Sequence, residues 1–284
     1  MTRQVQLLAS YWSIAGGAWP HTDHEYSVFS FRDRVAAAAR AGFTGFGIWH
    51  ADLEHTLQTQ SLRDMRRILD DNGMTHVELE FLLDWWFQDG ERKAACDDRK
   101  RLLFEAAAAL GAHHVKVGDF VNTPCPMRQL IDSFGELCAQ AADRGTRILF
   151  ELMPFANINT LAGALELVSG ANARNGGICI DLWHVVKLGI PYADVARIPA
   201  RFLGSIELND GMLKSPLSLH EETINHRRLC GEGEFDVRGF VATMLAAGYP
   251  GPWGIEVLNA EMREWPLEQL TQRVAATTRA QFPS

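Results

Sequence analysis

The stretch RILFELMPFANINTLAGALELVSGANARNGGICIDLWH, residues 147–184, contains the pattern on which the fold assignment rests. RILFE is a run of mainly apolar, β-favouring residues that ends in Glu151, and GICID is a second such run that ends in Asp181. Between them, TLAGALELVSG carries apolar residues at helical spacing. A strand, a helix and a strand in this order predict two parallel strands with the helix packed over them.

The same alternation continues in both directions along the chain. Eight runs favour strands: QVQLLASYW (4–12), FTGFGIWHA (43–51), THVELEFLL (75–83), HHVKVGDFV (113–121), RILFELMPF (147–155), GICIDLWHV (177–185), FLGSIELND (202–210) and PWGIEVLN (252–259). Between these runs lie helical segments, for which Ser30 and Ser61 are start signals. Four glycines stand where helices should end: Gly42, Gly73, Gly111 and Gly145.

Eight β-then-α units in a chain of 284 residues indicate an α/β protein, a (β/α)8 TIM barrel. No linker rich in Pro, Gly or Ser divides the sequence, so we expect a single domain over residues 1–284. An open, doubly wound sheet is the competing architecture. The first predicted strand, however, is not followed by the Gly-rich turn that nucleotide-binding folds of that type carry.

Composition excludes several classes of function. With 27 Lys plus Arg against 35 Asp plus Glu, the formal net charge of -8 argues against nucleic acid as a partner. Apolar runs are much shorter than the roughly 20 residues of a membrane helix, and the N-terminus lacks the hydrophobic stretch of a signal peptide. The five scattered cysteines favour reduced packing residues. We therefore expect a soluble, cytoplasmic protein.

Acidic residues stand at or near the ends of the last four predicted strands, where barrels of this type carry their chemistry. These acids are Glu151, Asp181, Glu207 and Glu256. Their sequence neighbours in the strands are bulky and apolar, so the alternation of strand faces directs the acids into the barrel mouth. A divalent cation would offset their mutual repulsion, and oxygen ligands favour Mn²⁺ or Mg²⁺, with Zn²⁺ and Co²⁺ as alternatives. The competing interpretation is that each acid pairs with Lys or Arg at the rim.

Other polar and aromatic residues near the predicted strand ends are candidates for substrate contacts. His50, at the end of the second predicted strand, either binds substrate or is a structural histidine. Lys116 either neutralises the acidic mouth or forms a structural salt bridge, and the latter is favoured. Several tryptophans, Trp12 and Trp183 among them, cluster at strand ends, where aromatic rings either line a substrate pocket or pack at the rim.

Five segments together resemble the xylose isomerase-like TIM-barrel superfamily, in particular its sugar phosphate isomerase/epimerase group, which includes ketose 3-epimerases and inosose dehydratases. They are FELMP (150–154), IDLWH (180–184), IELND (206–210), RRLCGEGEFD (227–236) and GYPGPWGIEV (248–257). The resemblance extends over nearly the whole chain. It implies a metal-dependent isomerase or epimerase that removes a proton beside a carbonyl, through an enediolate.

The resemblance also assigns roles to individual residues. It implies that Glu151, Asp181 and Glu256 ligate the metal and that Glu151 and Glu256 form the acid/base pair. His184 and Arg228 would contact substrate, whereas Arg227 is interpreted as a solvated neighbour. Many relatives have His where this chain has Glu207, so the fourth ligand is either Glu207 itself or, from farther out, Asp210.

These residues are compatible with several functions. The favoured substrate is a small, non-phosphorylated ketose, polyol-derived sugar or cyclic keto sugar. A lyase similar to inosose dehydratase, a non-catalytic sugar-binding or partner subunit, and an apurinic-site endonuclease are the alternatives, and the acidic charge disfavours the last. Exposed Trp-bearing loops would also suit a homo-oligomer.

Overall fold

Eight parallel strands close into one barrel within residues 5–283, the part of the chain that the computed structural model describes. Each strand pairs with its sequence neighbours, and β1 closes the ring by pairing with β8. The (β/α)8 prediction is confirmed. The strands are β1 (Leu7–Ala9), β2 (Gly45–Trp49), β3 (His76–Leu82), β4 (His114–Val117), β5 (Arg147–Glu151), β6 (Gly176–Asp181), β7 (Leu203–Leu208) and β8 (Trp253–Ile255).

Helices follow the strands and surround the barrel. They are α1 (Tyr11–Ile14), α2 (Phe31–Arg40), α3 (His50–Leu57), α4 (Leu62–Asp71), α5 (Gly90–Leu110), α6 (Met127–Ala142), α7 (Leu161–Ala171), α8 (Leu182–Lys187), α9 (Tyr192–Val195), α10 (Leu219–Asn225), α11 (Val237–Ala246) and α12 (Leu267–Arg279). A short 3-10 turn spans Met262–Glu264. The helices α1, α3, α8 and α10 were not predicted, and α1 and α8 lie at the ends of runs that predicted strand.

The predicted helix boundaries have visible physical causes. Ser30 begins α2 and Ser61 begins α4, and each hydroxyl accepts a hydrogen bond from a backbone N–H three residues later. The four predicted stop glycines all adopt positive φ, between 63° and 84°. Glycine is favoured in this left-handed conformation because it has no Cβ to clash.

Apolar side chains fill the layer between the strands and the helices, where Phe46, Ile148 and Phe150 are fully buried. The interior of the barrel is different, because residues such as Glu78 and Lys116 are buried there among other charged side chains. All five cysteines are free thiols, as expected. Among the described residues, no helix has the length and apolar character needed to cross a bilayer.

Candidate metal and active site

Four acidic side chains converge at the C-terminal end of the barrel. Glu151 and Asp181 are the last residues of β5 and β6. Glu207 lies one residue before the end of β7, and Glu256 directly follows β8. One carboxylate oxygen from each residue lies within 4.8 Å of those from the other three, and all four side chains are buried. The sequence predicted this convergence, which follows from inward-facing positions on adjacent strands.

Lys116 of β4 places its ammonium group among these acids. Its Nζ lies 2.8 Å from Oε1 of Glu207, 3.2 Å from Oε1 of Glu256 and 3.3 Å from Oε2 of Glu80. Oε2 of Glu151 is 3.7 Å away. Burial lowers the pKa of Lys116, but the surrounding carboxylates outweigh that effect and hold the pKa well above its usual value. The ion pairs are internal, as favoured, and they also neutralise part of the acidic mouth.

Arg227 is the second cation at the site, which corrects the expectation that it is solvated. Its Nη1 lies 2.8 Å from Oδ2 of Asp181 and 3.0 Å from Oε2 of Glu256, and the residue is buried. Arg228, predicted to reach substrate, is exposed and lies in a separate surface depression. The cause is an antiparallel bridge between Asp210 and Arg228, because consecutive residues of an extended segment point in opposite directions.

The site nevertheless keeps an excess of negative charge. Among the described residues, five acids (Glu80, Glu151, Asp181, Glu207 and Glu256) face the two cations Lys116 and Arg227. Burial raises the pKa values of Glu80, Glu207 and Glu256, and neighbouring carboxylates raise them further. Buried oxygen donors with excess negative charge suit a hard divalent cation, so the residues present fit the metal that the sequence predicted.

Neutral side chains fix the orientation of two of the acids. The Ser10 hydroxyl donates to Oε1 of Glu207 at 2.8 Å, and Nδ2 of Asn209 donates to Oδ2 of Asp181 at 2.8 Å. Such outer contacts hold metal ligands in position. Asp210, the alternative to Glu207, is not part of the acidic cluster. Its carboxylate accepts hydrogen bonds from the backbone N–H groups of Gly231 and Phe235 and so stabilises the loop after β7.

His184 stands beside Glu151, as expected for a residue of the site. Its Nε2 lies 3.4 Å from Oε1 of Glu151, and its buried Nδ1 has no hydrogen-bond partner among residues 5–283. His184, Glu151 and Asp181 also each offer one ligand atom within 4.8 Å of the others. The imidazole can therefore supply a substrate contact or a proton at this position.

A cavity open to solvent lies at the acidic mouth, where Glu80, Glu151 and Glu256 line it. Its apolar lining comprises Trp12, Pro20, Trp49, Phe81, Phe120, Met153, Phe155, Ile224 and Leu258. Most of the aromatic rings come from β1–β4 and the segments that follow them, whereas the four converging acids come from β5–β8. The predicted pocket residue Trp12 thus lies where expected, and the cavity presents flat apolar faces to a ligand.

Two other predicted substrate residues lie outside this cavity. Trp183 is fully buried in α8, where its indole N–H donates to Glu222 at 3.3 Å and its ring packs against Arg227. His50 is the first residue of α3 and packs against Trp49. Because Trp49 at the end of β2 faces the cavity, the next residue points away, which corrects the placement of His50.

His21 and His220 line the rim of the cavity and were not predicted from the sequence. Their ring centroids lie 5.0 Å apart, and burial, followed by the proximity of His220, lowers the pKa of His21. They lie in the segment between α1 and α2 and in α10. Their positions depend on how these connections cross the barrel mouth, for which the sequence carries no periodic signal.

The fold and the site together define a (β/α)8 barrel with a buried, metal-compatible carboxylate cluster at its C-terminal mouth. The model of the family described as "Xylose isomerase-like TIM barrel" matches residues 35–281. The chain belongs to this family.

The chain is also similar to individual proteins. The chain is 31% identical over 245 residues to a 3-dehydroshikimate dehydratase of Pseudomonas aeruginosa, a match that covers 82% of this chain and 37% of that protein. The chain therefore spans about a third of that relative's length. A fusion of a xylose isomerase-like TIM barrel with a 4-hydroxyphenylpyruvate dioxygenase is similar in structure, with a TM-score of 0.81, 25% identity, and coverage of 95% of this chain and 41% of that one. An IOLI protein with a bound zinc atom shares the fold at a TM-score of 0.83 and 18% identity, covering 98% of both chains.

Proposed function

We propose that this barrel is a divalent-metal-dependent lyase that eliminates water from a cyclic β-hydroxy ketone. The observation that carries the proposal is the cluster formed by Glu151, Asp181, Glu207 and Glu256, of which Glu151 and Glu256 line an aromatic cavity. A divalent cation held by these acids, Mn²⁺ or Mg²⁺ in preference to Zn²⁺ or Co²⁺, would polarise the ketone and acidify the adjacent C–H.

The contacts of the two predicted acid/base residues are unequal. Glu256 has one oxygen 3.2 Å from Lys116 and the other 3.0 Å from Arg227, so both oxygens are held by cations. Glu151 lies 3.7 Å from Lys116 and has His184 on its other oxygen. Because both of its oxygens are held in ion pairs, Glu256 is less free than Glu151 to approach a substrate carbon. We therefore assign proton abstraction to Glu151 and a positioning role to Glu256.

The proposed reaction needs one base and one acid. Glu151 takes the proton from the carbon beside the ketone, and the electron pair of the broken C–H bond forms a C=C bond to the β-carbon. The β-hydroxyl leaves and takes a proton from His184, which gives water. No electron donor or acceptor is required, and Glu151 and His184 return to their starting states by exchanging protons with solvent.

The lining of the cavity supports a ring as the substrate. Trp12, Trp49 and Phe155 present flat apolar faces, which suit a six-membered ring better than an extended open-chain sugar. One relative is named 3-dehydroshikimate dehydratase, so 3-dehydroshikimate is the first compound to test. This compound is a cyclic hydroxy ketone that carries a carboxylate. His21 and His220 at the rim offer N–H donors for that carboxylate.

The test is proton NMR in D₂O with Mn²⁺- or Mg²⁺-loaded protein, quenched and freed of metal before acquisition. The panel contains 3-dehydroshikimate, inososes and ketoses. We expect the olefinic and ring signals of 3-dehydroshikimate to be replaced by the aromatic signals of a dihydroxybenzoate. A confirmed metal-loaded protein that neither dehydrates nor exchanges any substrate C–H would contradict the proposal and favour a binding role.

Isomerisation or epimerisation of a keto sugar is the second candidate, because it begins with the same proton abstraction. The specific observation in its favour is that Glu151 and Glu256 both line the cavity, so two carboxylates can reach one substrate. Deuterium incorporation at one carbon of a ketose, without loss of water, would select this candidate.

Removal of the metal is expected to abolish the reaction without unfolding the protein. Lys116 and Arg227 partly neutralise the acids, so the fold does not depend on a metal as a small zinc-bound domain does. Dialysis against a chelator should remove turnover while the circular dichroism spectrum stays unchanged, and Mn²⁺ or Mg²⁺ should restore turnover. Full activity of the chelated protein, with metal content verified by mass spectrometry, would contradict metal dependence.

Arg227→Met and Arg228→Met form a matched pair of variants. Arg227 holds Asp181 and Glu256 in place, so Arg227→Met is expected to lower turnover about 10- to 100-fold, the usual effect of removing a group that orients metal ligands. Arg228→Met should stay within about twofold of wild type, because exposed substitutions away from a site have small effects. The reverse order in initial rates would restore the sequence-based assignment of Arg228.

A further inference from the structure

A group of three histidines lies at the opposite end of the barrel from the acidic mouth. His76 is the first residue of β3, His114 is the first residue of β4, and His113 directly precedes it. Each offers one ring nitrogen, and the three nitrogens lie within 4.8 Å of one another. Because parallel strands all begin at one end, the histidines and the acids of β5–β8 are at opposite ends of the strands.

The imidazoles at this end are available as ligands. Burial lowers the pKa of His76 to about 3 and the pKa of His113 to about 4, and burial also lowers the pKa of His114. All three rings are therefore neutral near pH 7, the form that binds metal. Nδ1 of the fully buried His114 has no hydrogen-bond partner among residues 5–283, which is uncommon for a buried polar atom without an additional ligand.

Glu78 stands behind this cluster. Its Oε2 lies 3.2 Å from Nε2 of His114, and its buried Oε1 has no hydrogen-bond partner within the described residues. A carboxylate therefore lies on one ring nitrogen of His114, and the other nitrogen, Nδ1, has no partner within the described residues. Metal-ligating histidines commonly have such a carboxylate, which fixes the ring and raises its basicity.

We propose that His76, His113 and His114 form a second cation site, which takes a transition metal of the Zn²⁺ type. Three imidazole ligands suit Zn²⁺ or Co²⁺, whereas Mg²⁺ and Ca²⁺ require oxygen ligands. His113 is exposed, so an ion can enter from solvent and keep water at an open position. The site therefore differs from the mouth both in place and in metal preference.

Other charges near the cluster act in opposite directions. Arg147, at the start of β5, and Lys116, further along β4, lower the pKa of His114 and oppose a bound cation. The carboxylate of Glu78, 3.2 Å from Nε2 of His114, attracts a bound cation. Occupancy would join the start of β3 to the turn before β4, so the bound ion is expected to stabilise this end of the barrel.

The test is titration of metal-free protein with Zn²⁺ in excess Mg²⁺, followed by calorimetry and by the visible spectrum of the Co²⁺ form. We expect His113→Asn to lose one equivalent of bound Zn²⁺ relative to wild type, together with the Zn²⁺-induced rise in Tm. His24→Asn, at another exposed histidine, should retain both. The turnover supported by Mg²⁺ should be the same in all three proteins.

Two results would overturn the proposal. Equal Zn²⁺ stoichiometry in wild type and His113→Asn would place all binding elsewhere, and absence of the Zn²⁺-induced Tm shift in wild type would show that the cluster does not hold an ion. His76→Asn serves as a second variant and must lose the same equivalent. Circular dichroism of each variant without metal establishes that the fold is intact.

Discussion

Glu151→Gln is expected to reduce substrate proton abstraction by about 10²- to 10⁴-fold, the usual contribution of a positioned general base. Glutamine keeps an oxygen that can ligate metal but cannot accept the substrate proton. The loss should therefore appear in kcat, with metal content unchanged. Exchange of the substrate C–H with D₂O, followed by NMR, measures the step directly.

Glu256→Gln is the matched comparison, because Glu256 also faces the cavity but has both oxygens held by Lys116 and Arg227. In the proposed elimination, this variant should retain clearly more exchange than Glu151→Gln. In a two-base epimerisation, the two variants should be impaired alike. If both variants keep near-wild-type turnover with metal bound, neither carboxylate is the base and the proposed mechanism fails.

Lys116→Met is expected to destabilise the metal-free protein by about 3–5 kcal/mol, the usual cost of removing one partner of a buried ion pair. Its ammonium group is fully buried and lies within 3.3 Å of Glu80, Glu207 and Glu256. Without it, these carboxylates repel each other in a water-poor interior. A divalent cation can replace the missing charge, so Mn²⁺ should restore much of the lost free energy of unfolding.

Urea unfolding with chelator and with Mn²⁺ measures both parts of this expectation. Lys93→Met is the control, because Lys93 forms a partly exposed pair with Asp97, and such pairs contribute about 1 kcal/mol or less. Equal stability of Lys116→Met and wild type in chelator would show that the acids are neutralised by protons instead. Failure of Mn²⁺ to stabilise Lys116→Met would argue against a metal at these carboxylates.

The fold could be predicted because local signals repeat along the whole chain. Ser30 and Ser61 begin helices through a hydroxyl that caps the backbone, and Gly111 ends one through its left-handed conformation. These are properties of a few adjacent residues, and the sequence states them directly. The convergence of the four acids follows from the same regularity, since every strand of a closed parallel barrel ends at the same rim.

The remaining features of the site depend on contacts between distant parts of the chain. Whether Arg227 or Arg228 faces the mouth is set by one bridge to Asp210, and a shift of one residue would exchange them. Trp183 was expected in the pocket, but the turn of α8 sends the indole to Glu222. Lys116 could be placed inside the barrel from its strand, although its contacts with several acids required the closed ring.

The two halves of the barrel contribute different parts of the site. The carboxylates that would hold the metal come from β5–β8, and much of the aromatic lining, including Trp12, Trp49 and Phe120, comes from the first half of the chain. Exchange of the segments after β1 and β4 between related barrels could therefore change which ring is accepted while leaving the four acids intact. Such a chain is suited to acquiring new substrates by recombination as well as by point mutation.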